Sequence, residues 1–263
     1  MIKKQLRTVQ VTRYVTPLRE GGSLPAIAEA DDGFLYVLKF KGAGQGPKSL
    51  VAELIGGEVA RALGCKVPEL VFAELDEAFG RTEPDEEIQD LLKASVGLNL
   101  ALHYLSGSIT FDAALSTPDP LLASTIVWLD CLLLNVDRTA RNTNMLMWHK
   151  ELWLIDHGAS LYFHHAWQNV SDQFKKPFPQ VKDHVMLPFA SQLQQANDNC
   201  RQLLNPTVID QIVDMVPDSW LATDPYKVAS LDKRKVYSKF LTERVSQSHL
   251  FINEANHARQ III

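Results

Sequence analysis

Asp137, Asn142 and Asp156 are three hard oxygen donors set around what reads as one short hairpin. An apolar run stops at Asn135, the polar loop NVDRTARN follows, and two short apolar runs, MLMW and LWLI, meet across His149–Glu151. Large apolar residues flanking so short a turn predict two antiparallel strands. In such a hairpin the residues entering the first strand lie beside those leaving the second. Asp137 and Asn142 are thereby brought to the end of the hairpin that carries Asp156. Oxygen ligands of this kind suit magnesium and a nucleoside triphosphate, and a carboxylate beside them suits an attacking hydroxyl, so the chemistry predicted is phosphoryl transfer. Any one of the three alone reads as a turn former or a strand end. Three in order around one hairpin outweigh that reading.

A phosphate site also needs a cation, and the first half of the chain offers one. Lys39 stands near the end of the strand-like run FLYVLKF, where alternation alone would make it a solvent-facing residue. After the loop KGAGQGPK, apolar residues at positions 50, 51, 54, 55, 59 and 63 predict a helix over Ser49 to Leu63, closed by Gly64. Glu53 lies one turn in, and it is the expected partner of Lys39 in preference to Glu58, which falls on another side. A strand lysine held by a carboxylate of the next helix is how a kinase lobe aims an ammonium at the α- and β-phosphates. Kinases likewise place a metal-binding Asn five positions after the catalytic Asp, and Asp156 sits in Asp-His-Gly where they have Asp-Phe-Gly.

The remaining elements are read in order. Leu6 to Val15 predicts an edge strand. Gly21-Gly22 predicts a tight turn whose N–H groups can cradle phosphate. Ala26 to Ala30 and Phe34 to Phe40 predict a hairpin turning at Asp31-Asp32-Gly33. Residues 65 to 75 read as a loop and a strand, and the acidic stretch Asp76 to Asp90 as a solvated loop or helix start. GLNLALHYLSG reads as a strand running into a break, and His103 to Leu105 is placed to offer backbone groups to a nucleotide base. Thr110 to Ala114 and Leu121 to Leu134 open a helical second half. The expected architecture is α+β in two lobes, residues 1–105 a β-rich N-lobe and 106–263 a mainly helical C-lobe. From Val170 on, a Lys- and Pro-rich loop leads to helices such as Asn205 to Val216 and Asp232 to Ile252, and the tail 198–263 carries no chemical motif. Ile261 to Ile263 are expected to pack on the body or on a partner.

Composition bounds the function. The chain has 263 residues, 46% hydrophobic and 22% charged, and a net charge of −5. That balance argues against direct binding to bulk nucleic acid or an anionic membrane. Cys65, Cys131 and Cys200 are scattered, as expected of core residues in a reducing, cytoplasmic setting. The N-terminal MIKKQLRTVQ lacks the apolar region of a secretory signal. The longest apolar run, Leu121 to Val136, is broken by Asp130 and too short for a bilayer, so it reads as a buried helix.

Together, VLKF, GPKSLVAE, NVDRTARNTNML and LIDHGASLYFHH resemble the HipA-like kinases, in particular their short single-module members, over roughly residues 20 to 170. The resemblance implies a protein-kinase-like fold that binds ATP with Mg2+. It assigns Lys39 to the α- and β-phosphates with Glu53 as its partner, Asp137 as the base, and Asn142 and Asp156 as magnesium ligands. Gly21, Gly22 and Ser23 would form the phosphate loop, with Ser23 the only serine near the place where related toxins autophosphorylate. Some members are toxin kinases that phosphorylate a protein serine, which implies a protein hydroxyl as acceptor and an antitoxin or regulatory protein as partner. Asn135-Val136 replaces the His-Arg of eukaryotic kinases, and there is no room before Gly21 for the extra N-terminal region of longer toxins.

Other residues are read with alternatives open. Arg138 and Arg141 either steady the transferring phosphate or pair with acidic neighbours. Asn144 either supports Asn142 or, the preferred reading, starts a strand; Trp148 and Trp153 read as hairpin core, and His157 as packing or hydrogen-bonding beside Asp156. His164 and His165 fit the acceptor side better than a zinc site, because the helical ligand spacing is missing. An active kinase on a protein or small-molecule hydroxyl stands against a nucleotide-binding pseudokinase, and the intact set of five favours the former.

Overall fold

Small residues on alternate positions let the first strands close on themselves. The computed structural model describes residues 5–18, 24–81, 84–165, 167, 172, 174–222 and 230–263. β1 (Thr8–Pro17), β2 (Ala26–Ala30), β3 (Leu35–Lys39), β4 (Leu70–Leu75) and β5 (Gly97–His103) form a closed barrel in the order β1-β2-β3-β5-β4. Neighbours are antiparallel except β1 and β4, which pair in parallel over Thr8–Phe72 to Gln10–Glu74. The interior is filled by Val9, Val11, Ala28, Ala30, Tyr36, Leu38, Ala73 and Ala101, and alanines at so many inward positions suit a barrel this narrow. β1 is therefore not the expected edge strand, since β4 covers its second side. Gly33 turns β2 into β3 with φ +78°, as the Asp-Asp-Gly reading requires.

Helix α1 (Pro47–Ala62) has proline in its first turn and ends before Gly64 at φ +84°. It is buried from Leu50 to Ala60 because both lobes pack on it. The acidic stretch becomes a 3-10 turn (Glu77–Arg81) and the start of α2 (Glu86–Ala94), whose N-terminal N–H groups bond to the Asp85 carboxylate.

The second lobe is built on α3 (Pro120–Leu133). Nearly every residue from Ala123 on is buried, and Leu134 in the left-handed region stops the helix. A small sheet of β6 (Ile109–Thr110), β7 (Met145–Trp148) and β8 (Glu151–Leu154) lies beside it. Thr110 to Ala114 is thus not helical: Thr110 pairs with Leu146, and the Asp112 carboxylate accepts the Ala114 N–H in a turn. The β7–β8 turn has His149 and Lys150 both at positive φ, the type I′ geometry that matches strand twist.

Helices α4 (Leu193–Leu203), α5 (Pro206–Asp214), α6 (Asp218–Leu221), α7 (Ser230–Ser246) and α8 (His249–Ile262) complete the lobe. The single helix expected over Asp232 to Ile252 is broken near Gln247–Ser248 into α7 and α8. Ile261, Ile262 and Ile263 are exposed, so the first of their two expected placements, on the body, does not hold. Among the described residues no helix is long and apolar enough to cross a membrane. The architecture is two-lobed α+β, a β-rich barrel lobe on a helical one.

Candidate active site

Alternation on β3 aims Lys39 out of the barrel, because Leu38 and Phe40 on either side are buried. Its ammonium lies 2.7 Å from Glu53 Oε2 on α1 and 2.7 Å from Asp156 Oδ1 of the second lobe. One ammonium therefore joins barrel, helix and hairpin. Glu53 is fully buried, and its Oε2 also accepts the His157 N–H at 2.8 Å. Burial alone would raise the Glu53 carboxyl; the charge of Lys39 and the His157 side chain beside it override that and hold it well below the usual carboxylate range. Burial pulls Lys39 down, but Glu53 and then Asp156 raise it above the ordinary lysine range. Glu58, the competing partner, bonds to Arg61 at 3.2 Å instead.

The loop after α3 is held at both ends. Asn135 accepts the Asp137 N–H at 3.1 Å and donates to Asp130 at 2.9 Å. Asp137 Oδ2 accepts the side-chain amides of Asn142 at 2.9 Å and Asn144 at 3.1 Å. Asn144 and Asp156 both adopt left-handed φ, +48° and +56°, which short polar residues tolerate best. The Ile155 N–H donates to the Asn144 carbonyl, closing the hairpin end on Asp156.

A cleft of about 1360 Å³ runs between the lobes, lined by Lys39, Asp137, Asn142, Asp156, His103 and Leu105, among others. It exceeds the ordinary size of a small-ligand pocket. His103 and Tyr104 spend their N–H groups on the carbonyls of Glu69 and Leu35, while the Leu105 N–H donates to nothing among the described residues. The His103 ring packs edge-on to Phe34 and Tyr36. Gly21, Gly22 and Ser23 lie outside the described residues, although Leu18 and Pro25, which flank them, line the cleft.

Several readings change. Arg138 does not face the cleft: it is fully buried, with Nε 2.6 Å from Asp130 Oδ2. Arg141 is exposed and lines the cleft. Asn144 is not merely a strand start, since it bonds to Asp137. Trp148 and Trp153 lie half-buried on the face away from Met145 and Leu154, stacked edge-on at 5.3 Å, and are not core. His157 is packed, as expected; its Cβ lies where a side chain on Gly56 would go. His164 is buried with Nδ1 2.9 Å from the Tyr237 hydroxyl. No group of three or more His, Cys, Asp or Glu side chains converges as a metal cluster among the described residues.

The sequence model of the family described as "HipA-like kinase" matches residues 11–252. This chain belongs to the HipA-like kinase family. The match extends well past the motif-bearing stretch, through most of the helical lobe. No curated protein matches the chain in sequence. Among solved structures, this HipA-like kinase is similar to the proinflammatory kinase CtkA of Helicobacter pylori, at 14% identity and a TM-score of 0.53, over 97% of this chain and 99% of that one. The Golgi casein kinase with Mn/ADP bound aligns at 12% identity and a TM-score of 0.45, over 98% of this chain and 75% of that one. Family membership makes the chain an ATP-dependent phosphotransferase of protein-kinase-like fold.

Asp130 and His184 escaped the motif reading. Asp130 carried one signal, a lone carboxylate inside an apolar helix, which needs a buried partner.

Proposed function

We propose that this kinase transfers the γ-phosphoryl group of Mg2+-ATP to the hydroxyl of a protein serine or threonine. The observation that carries the reading is Lys39 bridging Glu53 and Asp156 in the same cleft that presents Asp137. Lys39 holds the α- and β-phosphates, and Glu53 fixes its direction. Asp137 accepts the proton of the attacking hydroxyl through Oδ1, because Oδ2 is occupied by two amides. The Leu105 N–H meets the nucleotide base at the junction of the lobes, which we set between residues 105 and 106. Gly21, Gly22 and Ser23 form the phosphate loop.

Asn142 and Asp156 hold magnesium. Asn142 spends its NH2 on Asp137, and neither its side-chain Oδ1 nor Asp156 Oδ2 has a partner among the described residues. Two protein oxygens suit an ion that keeps most of its waters and otherwise binds phosphate. When bound, magnesium neutralises charge on the transferring group. The three free, buried cysteines support a reducing, cytoplasmic setting.

The test is incubation with γ-labelled ATP and magnesium, alone and with cell lysate, beside Asp137→Ala. Label transferred by the wild type and lost in the variant supports the reading, and the labelled species names the acceptor and any antitoxin-like partner. A labelled metabolite instead of a protein would make it a small-molecule kinase. ATP binding without transfer would make it a pseudokinase, and no ATP binding at all would overturn the proposal.

A further inference from the structure

Behind the catalytic loop lies a buried polar cluster that the phosphoryl-transfer reading does not use. Its centre is Asp130, fully buried on α3. Asp130 Oδ2 accepts Arg138 Nε at 2.6 Å and His184 Nε2 at 2.9 Å, and Oδ1 accepts the Asn135 amide at 2.9 Å. The Met186 N–H donates to His184 Nδ1 at 3.0 Å, so Nε2 carries the ring proton and is the donor to Asp130.

Arg138 extends this cluster to the site. Its Nη1 donates to the carbonyl of Asn144 and reaches that of Ile155 at 3.4 Å. Asn144 is the residue whose amide holds Asp137, and Ile155 precedes Asp156. Asn135 fixes the Asp137 N–H. Residues holding or adjoining both cleft carboxylates thus converge on one buried ion pair. The segment after α3's loop is tied in as well: the Val185 N–H donates to the Arg138 carbonyl at 3.2 Å, and Thr139 bridges to His184.

We propose that Asp130, Arg138 and His184 are a positioning node that sets the catalytic loop from behind, and that His184 makes the Phe178–Ala190 segment part of that setting. The proposal rests on the reading of Asp137 as the base. A buried ion pair is a poor source of stability, because desolvation offsets its attraction. It is a good source of fixed geometry, because directional bonds set the orientation of each group; Arg138 Nε and Nη1 are committed in this way, while Nη2 is buried without a partner among the described residues. An apolar trio of equal volume would pack but would take the Arg138 donor from both carbonyls, leaving that of Asn144 only the Ile155 N–H. Val185 also lines the cleft, so the segment that carries His184 reaches the substrate side.

The experiment compares His184→Leu, which keeps bulk and loses the donor, with His184→Gln, whose amide can still donate to Asp130. Arg138→Lys keeps the charge but cannot span Asp130 and both carbonyls with one ammonium. Turnover of γ-labelled Mg-ATP with lysate, Mg-ADP affinity by calorimetry, and amide hydrogen exchange of residues 135–145 are measured at a temperature where each variant is folded.

Expected are a fall in kcat of about tenfold or more in His184→Leu and Arg138→Lys, Mg-ADP affinity within twofold of wild type, faster exchange in the loop, and recovery of both readouts in His184→Gln. Wild-type kcat and wild-type loop exchange in His184→Leu would overturn the node. So would a loss in His184→Leu that His184→Gln fails to restore, since packing and not the bond would then matter. Asp137→Ala run in parallel separates the two proposals: if it keeps wild-type turnover the base reading has failed, whereas a dead Asp137→Ala beside an unaffected His184→Leu sinks the node alone. The exchange readout decides on the node even where no acceptor turns over.

Discussion

The side-chain amide of Asn144 lies 3.1 Å from Oδ2 of Asp137, the same oxygen that takes the Asn142 amide at 2.9 Å. Asp137 is thus pinned from two sides, and its rotamer is fixed before any substrate arrives. On the proposed reading of Asp137 as the base, pre-set geometry of this kind is worth orders of magnitude in rate, since a misplaced base loses its near-attack position. Asn144→Ala removes one of the two donors and trims one lining residue of the cleft, leaving Lys39, Asn142 and Asp156 in place. The expected result is a fall in kcat of about tenfold with Mg-ADP affinity unchanged. An unaltered kcat would show that Asn142 alone suffices.

Lys39 is the cation that lets Glu53 stay charged with no exposure. Removing it as Lys39→Met leaves a buried carboxylate unpaired, which costs about 3–5 kcal/mol. Urea unfolding is expected to show that loss. In Lys39→Met/Glu53→Gln most of it returns, because no buried charge then lacks its partner. Nucleotide binding stays weak in both, which separates the structural part of Lys39 from the phosphate contact proposed for it. Additive losses in the double variant would contradict this coupling.

Gly56 on α1 has no room for a side chain. An added Cβ would sit 2.6 Å from the Cβ of His157. Gly56→Ala is expected to push the Asp156–His157 turn away from α1 and lengthen the Lys39–Asp156 bond, at a cost of about 1–3 kcal/mol in stability. Calorimetry with Mg-ADP should show weaker binding. Unchanged affinity and melting temperature together would mean the turn yields freely.

His164 gives stability a pH dependence above the carboxylate range. Burial, then His165 and Lys48 beside it, hold this imidazole well below the ordinary histidine value. The unfolded chain therefore gains a proton below about pH 6.5 that the folded chain refuses, and stability falls as pH drops. Between pH 7.5 and 5.5 the loss is about 1.4 kcal/mol at most. The depressed Glu53 and Asp130 carboxyls act in a different window, contributing stability that is lost only as pH falls below about 4. Denaturant unfolding at the two pH values checks the sign. His164→Gln, which can keep a bond to Tyr237, is expected to flatten the dependence, and an equally steep slope in that variant would assign it elsewhere.

What the sequence determined by itself was whatever repeats locally. A five-residue offset, a short turn between apolar runs and a helical period after a strand lysine are short-range regularities. They made Asp137, Asn142, Asp156, Lys39 and Glu53 legible and, with the HipA-like motifs, the two-lobed plan. Asn144 sits in the same motif yet was read as a strand start, because its partner depends on a left-handed φ that spacing does not reveal. Arg138 has the right charge for phosphate and faces away from it, because loop and α3 pack so that its nearest carboxylate is Asp130, buried one helical end away. The closure of β1 on β4 and the break between α7 and α8 were decided by long-range pairing and packing. The link from His184 to Asp130 spans 54 residues of chain. Contacts of that separation carry no periodic signal, so only the tertiary structure could bring them together.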